Sequence, residues 1–342
     1  MNGTTTTMND RGASALRRVS ETVTAFADRH KMFAGVSRVT AAVSGGADSM
    51  AMLTVLTRIA PSLGFGVTAA HFDHRLRGAE SDRDREFVES WCGGNGIQLD
   101  VGSGDTRAFA LSEKLGTEDA ARRLRYEFLE AVAETRGSVV ATAHNADDNT
   151  ETVLLNLARG AGARGLSGIP PVRGGIIRPM LTVARAEIET LLREENVPHT
   201  EDSSNGDESY ARNKIRHSVM PVLRGVNPRV SEHTAELSES LREDEEFIAS
   251  AARVEIAKLG ITGESGGGTA FPASALYAMP RALAARVLRE LSGVRLTRRA
   301  VDGITALCAS KNGTKYLDVP EALVVRERDM LIFLPPRPKR RS

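Results

Sequence analysis

The sequence predicts an α/β fold: a parallel sheet with helices on both faces, followed by a smaller α+β C-terminal domain. Three observations lead there. Between residues 36 and 158, short β-rich runs alternate with helical stretches, and the connections are long enough for crossovers. At ~150 residues per domain, 342 residues make about two domains. The composition changes near 225–235, from a Gly-, Pro- and Arg-rich stretch to a long charged helical pattern.

The elements follow in order. Arg38 to Val43 is β-rich and ends at Ser44-Gly45-Gly46. Asp48 to Ala60 has helical apolar spacing at Met52, Leu53, Val55, Leu56 and Ile59. Gly66 to Phe72 reads as the second strand. Ser81 to Gly93 reads as a helix with Ser81 as N-cap and Asp84 three residues on. Ile97 to Val101 is a third strand, Glu118 to Thr135 a long helix ended by Gly137, Ser138 to Ala143 a strand, and Asp147 to Ala158 a helix. This order is Rossmann-like. Arg159 to Asn205 reads as loops plus one helix over Arg185 to Glu195, and Tyr210 to Gly225 as helical. Beyond it come a charged helix (Ser231 to Leu259), a flexible break (Gly263 to Gly268), helices over Pro280 to Leu291 and Thr297 to Ser310, and a β-meander over Lys315 to Leu334. The expected domains are a polar N-terminal extension and the start of the first helix (1–30), a nucleotide-binding catalytic domain (31–228), a helical plus small β domain (229–334) and a basic disordered tail (335–342). No internal repeat is visible.

Composition excludes several classes. Lys+Arg is 45 and Asp+Glu 44, for a net charge of +1, so a nucleic-acid partner would have to meet a local basic face. The 41% hydrophobic and 26% charged fractions are those of a folded domain, not a disordered chain. The two cysteines, Cys92 and Cys308, stand alone, so there is neither a disulfide framework nor a Cys-x-x-Cys pair. Met1 to Ser14 lacks the apolar core of a signal peptide, and no apolar run reaches about eighteen residues. A cytoplasmic protein without a membrane partner is expected.

In a doubly wound sheet, ligands bind at the carboxyl ends of the strands. The functional loops should follow Val43, Phe72 and Ala143. Ser44-Gly45-Gly46-Ala47-Asp48-Ser49 combines glycines that admit a close backbone approach, a helix start with unpaired N–H groups, and two hydroxyls. Together they suit a pyrophosphate. The run is not a Walker loop, because no Gly-Lys-Ser/Thr follows, and it lacks the third glycine of a dinucleotide fingerprint. Asp48 inside a phosphate cradle calls for a bridging Mg²⁺. This segment resembles the Ser-Gly-Gly-x-Asp-Ser signature of the PP-loop ATP pyrophosphatases, which adenylate a substrate oxygen and release pyrophosphate. The resemblance implies the PP-loop ATPase fold.

Further motifs narrow the resemblance. His71-Phe72-Asp73-His74-Arg75-Leu76-Arg77 follows the second strand, where zinc is an alternative to a role at the nucleotide. Glu118-Asp119-Ala120-Ala121-Arg122-Arg123-Leu124-Arg125-Tyr126 opens the long helix, with a salt-bridged surface as its plain alternative. His144-Asn145-Ala146-Asp147-Asp148-Asn149-Thr150-Glu151-Thr152 enters a helix, where Asp147 or Asp148 could cap it, hold Mg²⁺ or grip an ammonium. Arg159, Arg164, Arg212, Lys214 and Arg216 form local positive stretches. With Arg178-Pro179-Met180-Leu181 and the Asp202-Ser203-Ser204-Asn205 to Arg216 stretch, these segments resemble the tRNA(Ile)-lysidine synthetase family over about residues 36 to 225.

The resemblance implies that ATP adenylates O2 of the wobble cytidine of a CAU-anticodon tRNA(Ile), and that L-lysine then displaces AMP at C2. It places Ser44, Gly45, Gly46, Ala47, Asp48, Ser49 and His71 at ATP. Asp48, Asp147, Asp148 and Arg122 become the catalytic residues, with Mg²⁺ on Asp48 and Asp147. A carboxylate or His144 would take the proton of the lysine amine. Arg159, Arg164, Arg212 and Arg216 would meet tRNA phosphates, with stacking limited to a few side chains such as Tyr210. ATP and Mg²⁺ are thus the expected cofactors, tRNA(Ile) and L-lysine the partners, and a homodimer is compatible with the sequence. The rivals are a PP-loop thiolase, which needs cysteines for sulfur transfer, an amide-forming ligase on a small metabolite, and a non-catalytic RNA- or nucleotide-binding protein.

Overall fold

The computed structural model describes residues 14–76, 78–200, 211–264, 268–310 and 313–336. The polar extension before residue 14, Arg77, Asp202 to Asn205, Tyr210 and the tail from residue 337 lie outside the described residues. The chain divides into two compact units, Met1–Ser240 and Leu241–Ser342.

In the first unit the chain runs α1 (Ala15–Arg29), β1 (Arg38–Ala42), α2 (Ala47–Leu63), β2 (Gly66–Asp73), α3 (Ala79–Gly94), β3 (Leu99–Ser103), α4 (Thr106–Glu113), α5 (Thr117–Arg136), β4 (Val139–Ala141) and α6 (Ala146–Ala158). It continues through α7 (Ala163–Leu166), β5 (Val172–Arg173), β6 (Ile176–Ile177), α8 (Arg185–Glu194), α9 (Ala211–Lys214), a π-helical turn (Ile215–Val219) and α10 (Met220–Val226). α11 (Val230–Lys258) begins in this unit and ends in the next. The expected boundary at 228/229 coincides with the start of this helix, whereas the division of the units falls inside it. Helix α3 starts at Ala79 behind Gly78, so the expected cap at Ser81 is already inside the helix.

The sheet order is β3-β2-β1-β4-β6-β5. All pairs are parallel except the β5–β6 hairpin. From β1 the chain winds outward through β2 to β3, then returns to the other side of β1 at β4. That reversal opens a crevice over the carboxyl ends of β1 and β4. Residues alternate between the two faces as the pleat requires. Ala41, Ala69, Ala141 and Ile177 enter the large core with α1, α2 and α8. Ala70, Val140 and Ile176 enter the smaller core beneath α5, with Leu129 and Val132.

Helix α2 is apolar nearly all round. Met50, Ala51, Met52, Leu53, Val55 and Leu56 are each fully buried. A helix of this kind must be covered on several sides, and α1 and α8 pack on it as well as the sheet. Its N-terminus is therefore held rigidly at the crevice. On the other side of the crevice, Asn149 of α6 is buried; its amide donates to Ser238 Oγ on α11 at 2.9 Å and accepts from the Ile169 N–H at 2.9 Å.

The second unit holds the rest of α11, β7 (Thr262–Glu264), β8 (Gly268–Pro272), α12 (Ala273–Ala278), α13 (Arg281–Leu291), α14 (Arg298–Ala309), β9 (Lys315–Val319), β10 (Ala322–Glu327) and β11 (Met330–Leu334). The expected meander is present as β9-β10-β11, and it is extended by β8 and β7 into a five-stranded antiparallel sheet. The stretch read as a flexible break therefore carries strands, with residues 265–267 outside the described set. Phe271 of β8 lies against Phe333 of β11, ring centroids 6.0 Å apart. That long-range contact has no local pattern to announce it.

Gly168 has φ +72°, and a Cβ there would overlap Asn149 Oδ1. Gly168→Ala is expected to lower stability by about 1–3 kcal/mol through strain and loss of the Asn149 anchor. Urea unfolding should show a lower midpoint with an unchanged slope.

Candidate functional site

The loop between β1 and α2 is built around one serine. Ser49 Oγ donates to the Gly46 carbonyl at 2.8 Å and accepts from the Ser44 N–H at 3.2 Å. The Gly46 N–H reaches Ser44 Oγ at 3.4 Å. Ser49, expected at phosphate, is 5% exposed and braces the loop from inside. Gly45 takes φ +93°, and a Cβ there would press on Thr200 Oγ1 at 3.1 Å. The Thr200 N–H in turn donates to the Gly45 carbonyl at 2.9 Å. Gly46 is the N-cap of α2 and offers no side-chain acceptor, so the first-turn N–H groups of α2, from Ala47 onward, face the crevice uncapped. His71 is buried, and Nδ1 lies 2.9 Å from the Val43 carbonyl. The carbonyl can only accept, so Nδ1 carries a proton and donates to it.

Asp48, in the first turn of α2, faces the start of α6. Its Oδ1 accepts from Asn145 Nδ2 at 2.9 Å, and its Oδ2 pairs with Arg185 at 2.7 Å. Asn145 also closes a capping box with Asp148: the Asp148 N–H reaches Asn145 Oδ1 at 3.0 Å, and the Asn145 N–H reaches Asp148 Oδ2 at 3.1 Å. One asparagine thus joins the carboxylates of Asp48 and Asp148 across the β1/β4 switch point. Burial above all raises the Asp48 carboxyl above its usual range. Arg185 opposes the rise and Asp148 adds to it.

Asp147 and Asp148 point to different partners. Asp147 is buried. Its Oδ1 accepts from Ser231 Oγ on α11 and pairs with Arg224 at 3.1 Å, and its Oδ2 accepts from the Arg185 N–H at 3.1 Å. It therefore ties α6 to α8, α10 and α11. Asp147, expected at a metal, has both oxygens on protein donors, none of which belongs to the phosphate loop.

Arg212 and Arg216, expected to meet tRNA phosphates, are likewise engaged inside the domain. Arg212 bonds Glu151 Oε2 and Asp148 Oδ1, each at 2.9 Å. Arg216 bonds Glu151 Oε1 at 2.6 Å, Glu151 Oε2 at 3.0 Å and Asp148 Oδ1 at 3.1 Å. Glu151 is 2% exposed and forms the centre of this lattice. No role was read for it, although its position three residues after Asp148 puts both acids on one helix face. The π-helical turn that carries Arg216 has a local cause. Pro221 has no N–H for the carbonyl four residues back, and Met220 donates to the Ile215 carbonyl instead.

The remaining expected residues lie apart. Arg159 and Arg164 are exposed at the turn between α6 and α7. Arg122 lies over the Tyr126 ring, 4.8 Å from its centroid, on the opposite face of the sheet from α2. Among the described residues, no group of three or more His, Cys, Asp or Glu could hold a metal, and no helix is long and apolar enough to cross a membrane.

His144 follows β4, and Thr142 Oγ1 lies 3.0 Å from its Nδ1. Its pKa is pushed down to about 3, first by burial and then by Arg178, Arg212, Arg125 and Arg122. The unfolded chain takes up a proton below the ordinary histidine value near 6.5, while the folded protein resists until about pH 3. Stability therefore falls as pH drops through that window. His144→Gln should flatten this slope in unfolding curves recorded from pH 7 to pH 4. Glu151→Ala leaves two guanidiniums half-paired. The expected loss is on the order of 2 kcal/mol in chemical unfolding, below the figure for a fully buried pair because both arginines are partly exposed.

Known proteins place this architecture. A family model described as the PP-loop domain matches residues 16–223. The tRNA(Ile)-lysidine synthase of Geobacillus kaustophilus is 36% identical over 324 residues, covering 91% of this chain and 69% of that protein. That of Geobacter sulfurreducens is 36% identical, covering 91% and 68%. That of Bacillus subtilis is 36% identical over 266 residues, covering 76% and 56%. Among solved structures, a U34-tRNA thiolase from Methanococcus maripaludis with its [4Fe-4S] cluster shares the fold at TM-score 0.56 and 17% identity, covering 67% of this chain and 79% of that one. With its strand order, its phosphate loop and these relatives in agreement, the chain belongs to the tRNA(Ile)-lysidine synthase family and carries that family's ATP-binding PP-loop domain.

Proposed function

We propose that this protein ligates L-lysine to C2 of the wobble cytidine of tRNA(Ile) with a CAU anticodon, using ATP and releasing AMP and pyrophosphate. The observation that carries this reading is the pairing of Asp48 with Asp148 through Asn145, directly above the uncapped start of α2.

The loop from Ser44 to Ser49 holds the phosphates through its N–H groups, while Ser49 keeps the loop in shape. His71 follows from β2 with its ring fixed by the Val43 carbonyl. The hard oxygen donors of Asp48 and Asp148 fit Mg²⁺; burial above all, and repulsion from Asp148 in addition, raise the Asp48 pKa, and a cation relieves that repulsion. When bound, Mg²⁺ supplies charge neutralisation for the departing pyrophosphate. The cytidine O2 attacks the α-phosphorus as the bond to pyrophosphate breaks. The lysine ε-amine then attacks C2, and AMP leaves with O2. Arg122 balances the charge of the adenylate.

The lysine enters as an ammonium and must lose a proton before it attacks. His144 is a poor acceptor, because its conjugate acid has a pKa of about 3. A carboxylate of the crevice takes that part. The exposed Arg159 and Arg164 remain for tRNA phosphates, whereas Arg212 and Arg216 set the position of Asp148 and Glu151.

The cysteines favour ligation over sulfur transfer. Cys92 on α3 and Cys308 on α14 lie in different units, and burial pushes each thiol up to about 11. A sulfur relay needs a thiolate.

The test is ATP-dependent incorporation of labelled L-lysine into a CAU-anticodon tRNA(Ile) transcript, with a wobble C→U transcript as control. Incorporation is expected only with cytidine, accompanied by pyrophosphate. Asp48→Asn should reduce both by at least about a hundredfold while the melting temperature is kept. Pyrophosphate release with another acceptor, and no lysine incorporation, would discard the substrate assignment.

A further inference from the structure

The crevice has a second electropositive wall, of which the reading above uses only Arg122. The turn from α5 into β4 consists of Gly137 and Ser138 alone, so α5 runs antiparallel to the strands. Its first turns bring Arg122, Arg125 and Tyr126 to the same sheet edge as the phosphate loop. Arg178 follows β6 directly and reaches that edge from the other side, and His144 of the β4 loop lies among them.

These arginines differ from all others around the site. Arg185, Arg212, Arg216 and Arg224 each pair with a carboxylate. Among the described residues, Arg122, Arg125 and Arg178 have no carboxylate partner. Arg178 is 3% exposed; one Nη donates to the Pro170 carbonyl at 2.7 Å, and its Nε has no partner. The buried Tyr126 hydroxyl lies beside Arg178, and its ring carries Arg122 at 4.8 Å and Arg125 at 5.7 Å. Burial above all pulls Arg125 and Arg178 below the usual arginine value; Tyr126 opposes the fall in both, and Arg122 adds to it. Buried cations of one sign are costly unless an anion completes them.

We propose that Arg125 and Arg178, with Arg122 at the rim and the Tyr126 hydroxyl, form a pocket for a backbone phosphate of the tRNA next to the wobble nucleotide. This subsite rests on the tRNA-ligase reading. The pocket is not part of the ATP cradle: α2 starts on one face of the sheet, while Tyr126 packs on the core of the other. The β4 loop separates the two, with Asn145 bonded to Asp48 and His144 beside the arginines. A phosphodiester offers two non-bridging oxygens to forked guanidiniums. Arg122 is exposed and carries the positive wall out to the surface, as a polymer requires and a free amino acid does not.

The experiment measures full-length Arg125→Gln, Arg178→Gln and Arg178→Lys against wild type. Each is assayed for tRNA(Ile) Kd across a salt series, ATP affinity, lysine KM and melting temperature. Each Gln variant should raise the tRNA Kd by about tenfold and reduce the salt slope by about 1, with ATP affinity and lysine KM unchanged. Arg178→Lys, which keeps the charge, should retain most of the salt slope even if Arg178→Gln does not fold. Three results overturn the subsite: unchanged tRNA affinity and slope in Arg125→Gln with a lowered melting temperature; a raised lysine KM alone, which would make it a carboxylate site; or weakened ATP binding alone. Unchanged variants beside a wild type that binds tRNA overturn the subsite only. A wild type that binds no tRNA overturns the ligase reading together with it.

Discussion

Four carboxylates converge on the β1/β4 switch point: Asp48 from α2, and Asp147, Asp148 and Glu151 from α6. Acids gathered at one strand end repel each other, and partial burial removes the water that would screen them. They can be held there only if cations or N–H groups meet each one. Arg185 meets Asp48 with its side chain and Asp147 with its backbone N–H. Arg224 and Ser231 complete Asp147, and Arg212 with Arg216 meets Asp148 and Glu151. The donors come from α8, α9, the π-helical turn, α10 and α11. Satisfying these acids is therefore what gathers the second half of the first unit around α6.

The same requirement separates structural from chemical roles among residues of one type. Asp147 is held by α8, α10 and α11, away from the phosphate loop. Asp48 and Asp148 are joined through one neutral amide beside that loop, and Arg185, Arg212 and Arg216 hold their remaining oxygens. The arginines divide in the same way. Those with carboxylate partners shape the site, and those without leave a positive wall that an anion completes. His144, between the two sets, is held neutral by burial and by its cationic neighbours.

Much of the fold was legible because helix and strand periods are local. The alternation over residues 36–158, the break at Ser44-Gly45-Gly46 and the apolar pattern of Met52, Leu53, Val55 and Leu56 carry the doubly wound sheet. The β5–β6 hairpin also had a local sign, the Gly174-Gly175 pair between Val172-Arg173 and Ile176-Ile177. With only two residues in each strand, it has no alternation to set it apart from a loop. The short helix α4 and the strands β7 and β8 had less to show. Phe271 becomes a strand residue through Leu331 and Phe333, sixty residues away in the chain.

By itself the sequence determined the chemistry available at each strand end, because a glycine-rich turn, a helix start and an acid in its first turn are neighbours in the chain. It therefore determined that a phosphate loop with Asp48 stands at one strand end, and that a run of acids stands at another. Only the tertiary structure decided which acid meets which cation. Asp147 and Asp148 are adjacent, yet the 100° turn of a helix sends one to Ser231 and Arg224 and the other to Arg212 and Arg216. Ion pairing depends on the meeting of side chains distant in sequence, and no local pattern encodes that meeting.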